Sequence, residues 1–269
     1  MKKHTLTLLA AVCFISALVP GTLTAQVSTT DSIGKAQGVF SVSPTLKVRF
    51  APGNLQYQPY THLWRFAPEQ TAVVGWQEGY ASPRYKGWIG LFGWGTGMNP
   101  TNYSTSPEEY SYVEWGLFCA LPTSDGKQWR TLDLDEWTYL LSKRPRARRL
   151  YALAYVCGRY GMVLLPDGWK CPKGIYMRTG PKEEGTNVYN EEKWKRLEES
   201  GAIFLPAETK RMGTEAAGSA NACRYWTSSV NAKKGDEAIY LLVDPYLPQA
   251  KSASKTTGMS VRLVQDIEN

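Results

Sequence analysis

Between Cys223 and Val264 the chain carries three short runs rich in aromatic and β-branched residues: Arg224-Tyr-Trp-Thr-Ser-Ser229, Glu237-Ala-Ile-Tyr-Leu-Leu-Val-Asp244 and Gly258-Met-Ser-Val-Arg-Leu-Val264. Lys233-Lys-Gly-Asp236 and a Ser/Lys/Thr stretch at 251–257 interrupt them. Runs of this composition, punctuated in this way, predict an antiparallel meander. A sheet of that kind must be covered, so the earlier segments are expected to pack on it.

β-like alternation begins at Val39-Phe-Ser-Val42 and continues in Lys47-Val-Arg-Phe50, where Val48 and Phe50 share one face. Leu55 to Tyr57 and Leu63 to Phe66 flank Gln58-Pro-Tyr-Thr-His62 as a hairpin. Leu150 to Val156 and Met162 to Leu165 flank Cys157-Gly-Arg-Tyr-Gly161 as another. Two helices are expected. The first runs from Asp133 to about Ser142, with a capping box between Asp133 and Glu136; Leu134, Trp137, Leu140 and Leu141 share a face, and Pro145 ends it. The second is capped by Asn190, runs to Ser200 and stops at Gly201, with Trp194 and Leu197 inward. Glu198 and Glu199 oppose the dipole of that helix. Ala202-Ile-Phe-Leu-Pro206 returns as a buried strand.

Residues 67–130 hold Trp76, Trp88, Trp94, Trp115 and Trp129 and show no sustained period of 2 or 3.6. The tryptophans are expected as core anchors. Lys143-Arg-Pro-Arg-Ala-Arg-Arg149 is the densest charge run. It is expected as a solvated helix C-terminus, where exposed carbonyls favour cations; the other reading is a polyanion site on Arg144 to Arg149. No aromatic residue alternates with these cations to stack bases, and no nucleic-acid partner is expected.

Tyr225-Trp-Thr-Ser-Ser229 followed by the terminal Gly-Met-Ser-Val-Arg-Leu-Val run resembles the end of the C-type-lectin-like superfold. More closely it resembles the fibrobacter succinogenes major paralogous domain group, whose members tend to end in a Tyr-Trp-Ser-Ser-Ser strand and a Gly-x-Ser-Val-Arg-Leu-Val strand. Phe50-Ala-Pro-Gly-Asn-Leu-Gln-Tyr57, Trp64-Arg-Phe66, Leu91-Phe-Gly-Trp-Gly95, Thr131 to Trp137 and Leu164-Leu-Pro-Asp-Gly-Trp169 are similar to that group as well, so the resemblance covers residues 39–266. It implies an α+β, C-type-lectin-like fold with two helices on a twisted antiparallel sheet and long irregular loops whose aromatic residues dock onto it. It also implies a ligand face in the loops before and after the Trp226 strand, at 208–222 and 245–257. Lys210, Arg211, Asn221, Arg224, Tyr246 and Lys251 are the candidate binding residues there. Trp226 and Arg262 are assigned to structure, Arg262 as a partner for a carboxylate or carbonyls near the sheet. Lectins of the superfold bind calcium through a Trp-Asn-Asp triplet, whereas Thr227 and Ser228 follow Trp226 in this chain. Hard calcium wants carboxylates and carbonyls, so no metal is expected. The formylglycine-generating oxidases of the superfold use two nearby C-terminal cysteines for copper, but only Cys223 follows Cys171.

Lys2, Lys3, the apolar run Leu6 to Val19 and Thr22-Leu-Thr-Ala25 read as an export signal over 1–25. A polar leader over 26–38 and one domain over 39–269 follow. The expected location is the periplasm, the cell surface or the medium, with no transmembrane segment. The formal charge of +7 agrees with mild attraction to polyanions. Beyond the signal the cysteines are Cys119, Cys157, Cys171 and Cys223. Cys171 and Cys223 staple the sheet if their strands are neighbours; buried free thiols are the alternative. His62 is the single histidine left and reads as an exposed turn residue, which leaves no Ser-His-Asp set. The pairs Glu108-Glu109, Glu183-Glu184 and Glu191-Glu192 read as solvated faces. With no catalytic residue and no cofactor implied, the expectation is an exported, non-enzymatic binding or adhesion protein for a glycan or protein ligand. The alternatives are a structural subunit of a cell-surface assembly and a carboxylate-dependent polysaccharide-active enzyme.

Overall fold

The computed structural model describes residues 38–74, 82–118, 121, 127–180, 187–244 and 248–267. The export signal, most of the polar leader, Trp76, Cys119, Glu183, Glu184 and Tyr246 lie outside the described residues.

Strands β1 (Phe40–Ser41) and β2 (Lys47–Phe50) pair antiparallel, and Val48 and Phe50 are buried on the shared face. β3 (Leu55–Gln58) and β4 (Leu63–Phe66) form the expected hairpin. His62 sits exposed in its turn at φ 57°, its Nδ1 2.8 Å from the Tyr57 hydroxyl.

The irregular segment that follows is anchored by its aromatic residues. Trp94, Trp115 and Trp129 are buried in one cluster with Leu55, Trp226, Met259 and Leu263. Trp88 is instead half-buried, with the Arg65 guanidinium 3.7 Å from its ring centre. A short helix α1 (Trp115–Phe118) was not anticipated, because a four-residue turn has no period to read. Its Gly116 lets the chain pass against the Trp129 carbonyl; a Cβ at that position would lie 1.6 Å from the oxygen.

β5 (Arg130–Thr131) leads into α2 (Leu134–Thr138), which continues as a π-turn over Tyr139–Lys143. The capping box is present: Glu136 N donates to Asp133 Oδ1 at 2.8 Å, and Asp133 N donates to Glu136 Oε2 at 2.9 Å. The basic run beyond is not uniformly solvated. Arg144 is buried: it donates to Asp167 Oδ1 at 2.9 Å and to the carbonyls of Leu140, Leu150 and Leu165 at 2.7, 3.3 and 3.0 Å. Four acceptors, three of them carbonyls from two segments, offset the desolvation of its charge. Arg146, Arg148 and Arg149 remain exposed.

β6 (Tyr151–Val156), β7 (Arg159–Leu164), β8 (Asn187–Tyr189) and β9 (Ile203–Pro206) make a sheet of order β8-β6-β7-β9, in which only the β6–β8 pair is parallel. The β6–β7 turn is tighter than expected. Cys157 and Gly158 both take positive φ, 50° and 80°, as a two-residue loop twisting with its strands requires. Tyr151, Leu153, Met162, Leu164 and Leu205 face one core, and Ala152, Ala154, Val163 and Phe204 face another. Burial on both faces explains why these strands are apolar throughout. The second face is covered by α3 (Glu191–Glu199), capped by Asn190 and ended by Gly201 at φ 90°. Glu198, misplaced for the helix dipole, accepts from Gln70 Nε2 at 3.1 Å.

A small hairpin, β10 (Lys210–Met212) and β11 (Glu215–Ala217), precedes β12 (Cys223–Val230), β13 (Glu237–Val243) and β14 (Pro248–Ser254), which form a three-stranded antiparallel sheet in that order. The meander therefore exists, but its third strand is β14 and not the Gly258–Val264 run. β14 lacks β-branched and aromatic residues; main-chain pairing to β13 holds it at the edge of the sheet.

The run Gly258–Val264 is a buried spine. Met259 pairs with Phe92, Ser260 with Tyr225, and Val261 O accepts from Leu55 N at 2.9 Å. Arg262, also buried, donates to Phe204 O at 2.6 Å and to Gln70 Oε1 at 2.9 Å, so it meets a carbonyl and a side-chain amide. Burial lowers its guanidinium to about 10, which leaves it charged at neutral pH. The chain ends in β15 (Leu263–Ile267), inserted between β2 and β5 in the order β1-β2-β15-β5. The whole is a mixed α+β fold of mostly antiparallel sheets with few helices. Among the described residues no helix is long and apolar enough to cross a membrane.

Cys171 and Cys223 are not joined. Cys223 is buried on β12 with its Sγ 3.1 Å from Leu205 O, whereas Cys171 is exposed in a turn against Ile175 O. The strand that was to bring Cys171 alongside ends at Leu164, and Pro166 and Pro172 carry the chain away from the sheet. Burial pushes the Cys223 thiol up to about 12. Iodoacetamide on the native protein is therefore expected to label Cys157 and Cys171 and to spare Cys223 until the chain is unfolded. Peptide mapping reads this directly, and a Cys171–Cys223 cross-linked peptide would contradict it.

Candidate functional site

The helix after Asp133 presents Leu134, Trp137, Thr138, Leu141 and Ser142, spaced i, i+3, i+4, i+7, i+8, on one face. This face does not close onto the neighbouring sheet. It forms one wall of a groove of about 440 Å³, the size of a small-ligand site. Thr227, Tyr240 and Leu241 form the opposite wall, Pro248, Gln249 and Ala250 of the edge strand a third side, and Arg148 and Tyr151 one end.

Contacts around the groove hold the walls apart at a fixed spacing. β12 departs from its register with β13 between Trp226 and Val230. The residues freed by that irregularity bind the helix: Leu134 N donates to Ser229 Oγ at 3.0 Å, and Ser228 N donates to Leu132 O at 3.1 Å. Thr227 Oγ1 donates to Ile239 O at 2.8 Å. Ser228 and Ser229 thus tie the start of α2 to the sheet, while Thr227 is bonded within the sheet itself. Arg130 fixes the same helix from below, donating to Glu136 at 2.6 and 2.8 Å and to Asp266 Oδ1 at 2.9 Å. At the far end, the buried Arg144 clamp sets the turn Ala147–Arg149, and this puts Arg148 at the groove.

The polar groups lining the groove divide into satisfied and unsatisfied ones. Thr138, Ser142 and Thr227 donate to main-chain carbonyls, and Gln249 donates to Asp244 Oδ2 at 2.9 Å. The Trp137 indole N–H is buried and has no partner among the described residues, and no side-chain hydrogen bond there engages the Tyr151 hydroxyl or the exposed Arg148 guanidinium. Burial raises both phenols above their ordinary value, with Arg148 opposing the rise at Tyr151 and Arg224 at Tyr240; both stay protonated and able to donate at neutral pH. Among the described residues no carboxylate lines the groove.

The residues expected at the ligand face are dispersed. Arg211 is fully buried, donating to Gly213 O at 2.6 Å and Leu91 O at 3.2 Å, so it secures the β10–β11 hairpin. Arg224, half-buried, donates to Glu208 O and Ala222 O. Lys210 is half-buried and Asn221 exposed, neither of them lining the groove. Lys251 is exposed and stands opposite Tyr240 in the β13–β14 register, hence on the same face of the sheet. Of the second expected loop, Pro248, Gln249 and Ala250 do line the groove. Sequence reasoning missed Tyr151, and it had Arg148 only within the alternative polyanion site of Arg144 to Arg149; the helical face was read there as core. Among the described residues no three His, Cys, Asp or Glu side chains gather as a metal site.

No family model, curated protein or solved structure matches the chain.

Proposed function

We propose that this chain is an exported, non-enzymatic binding or adhesion module of C-type-lectin-like type, similar to the major paralogous domain group, and that it takes a glycan in the groove between α2 and the β12–β14 sheet. One observation carries the reading: a groove of ligand size lined by Trp137, Tyr151 and the exposed Arg148, in which the Trp137 indole N–H has no partner among the described residues. Aromatic rings with a polar tip suit a sugar, offering an apolar face to its C–H groups and a donor to its hydroxyls. The long segment docked on antiparallel sheets through Trp94, Trp115 and Trp129 supports the resemblance.

The same lining disfavours a polysaccharide-active enzyme at this groove, since hydrolysis by the usual route needs two carboxylates flanking the sugar and the described lining residues include none. With Thr227 and Ser228 following Trp226 where calcium-binding lectins carry Asn and Asp, and with Thr227 Oγ1 bonded to Ile239 O, binding is expected to be independent of calcium.

A glycan array probed with residues 26–269, with calcium and with chelator, tests the proposal. Chelator-insensitive binding is expected, and Ala250→Trp, which fills the groove from the exposed edge strand, is expected to abolish it without changing the thermal midpoint. Binding that survives Ala250→Trp, or an array without any signal, would overturn it.

A further inference from the structure

Resting on the groove reading above, we infer that the ligand is an acidic glycan whose anionic substituent is held by Arg148. Among the described lining residues the groups without a protein partner are the Arg148 guanidinium, the Trp137 indole N–H and the Tyr151 hydroxyl, all able to donate. A site with spare donors and no carboxylate among its described lining residues complements a ligand rich in acceptors, and its cation selects for negative charge. Arg148 is suited to that role. Its side chain is exposed and lines the groove, and it has no ion-pair partner among the described residues, whereas Arg144, four residues earlier, is committed to Asp167.

A guanidinium offers a flat pair of donors that meets a carboxylate or a sulfate in the same bidentate geometry. The shared chemistry is therefore an anionic sugar, with uronic acid and sulfated sugar as its two sources. The basic run, read from sequence as either a solvated helix end or a polyanion patch, is on this account divided: Arg144 builds the wall and Arg148 reads the ligand, while Arg146 and Arg149 do neither.

Isothermal titration with oligogalacturonate, with the same oligomer after carboxyl reduction, and with a chondroitin sulfate oligosaccharide separates the possibilities. The acidic oligomer matching the substituent is expected to bind, and Arg148→Ala is expected to weaken it by about 10- to 100-fold, the worth of a charge-assisted hydrogen bond pair. Arg148→Lys should recover only part of the loss. Arg146→Ser and Arg149→Ser should leave affinity within about twofold, because exposed arginines outside the groove contribute only screened attraction. Preference for the carboxylate or for the sulfate arm assigns the substituent. Equal binding of charged and reduced oligomers, or equal losses in all three arginine variants, would overturn the inference. If in that case Ala250→Trp still abolished binding, the groove reading would stand with a neutral ligand. Absence of binding to every oligomer, together with a silent array, would remove both.

Discussion

Arg144→Ala is expected to lower the unfolding free energy by about 3 kcal/mol, near the lower end of the cost of removing one partner from a buried pair. The Arg144 side chain is 0% exposed and Asp167 31%, so water softens the loss on the acid side only. Asp167 is also held by Ser41, whose amide and hydroxyl donate to its Oδ2 at 2.9 and 2.5 Å, so the clamp joins β1 to the end of the helix segment. The carbonyls of Leu140, Leu150 and Leu165 lose a donor as well. Lysine should rescue poorly, since one ammonium cannot reach acceptors spread around a planar fork. The contrast with Arg148→Ala is the sharper test: urea unfolding of that variant should agree with the parent within about 0.5 kcal/mol, as for an ordinary surface change. Similar losses at the two positions would contradict the division drawn between them.

Trp226→Ala is expected to cost about 4 kcal/mol, in the range for truncating a large core aromatic. The ring is 1% exposed, meets Tyr240 edge-on with centroids 6.0 Å apart, and its Nε1 donates to Phe92 O at 2.8 Å. Phe92 exchanges main-chain hydrogen bonds with Met259 at 2.9 Å in each direction, so the tryptophan also steadies the spine. Trp226→Phe should retain much of the volume yet still lose about 1–2 kcal/mol, because the Phe92 carbonyl is left short of a donor. Amide exchange at Phe92 and Met259 should accelerate in both variants. Protection unchanged at those two amides would show that the ring only fills space.

Features set by residues a few positions apart could be read from the sequence. The Asp133–Glu136 box and the Asn190 cap with its Gly201 stop each need only the backbone beside them, and they stand where the pattern put them. The β3–β4 and β6–β7 hairpins follow from apolar runs on either side of a turn. What could not be read depends on partners far along the chain. Pro248–Ser254 has the composition of a loop and becomes a strand because β13 offers it an open edge. Arg144 stands among solvated arginines and is buried because Asp167 arrives beside it. The groove is the extreme case. Trp137 on the helix face is buried as expected, but Tyr151 and Leu241 reach it from two different sheets, and no local period announces that convergence.

The place of β15 between β2 and β5 has a consequence for biogenesis. Phe50 faces Val264 and Thr131 faces Leu263, so the sheet that opens the domain waits for the strand that closes it. A polypeptide in which β15 has not yet been made has no β15 for β2 to pair with, and loop closure over most of residues 47–267 must precede any gain from that pairing. A product cut short before Leu263 would present two unpaired strand edges and uncover Val48 and Phe50, a surface prone to self-association.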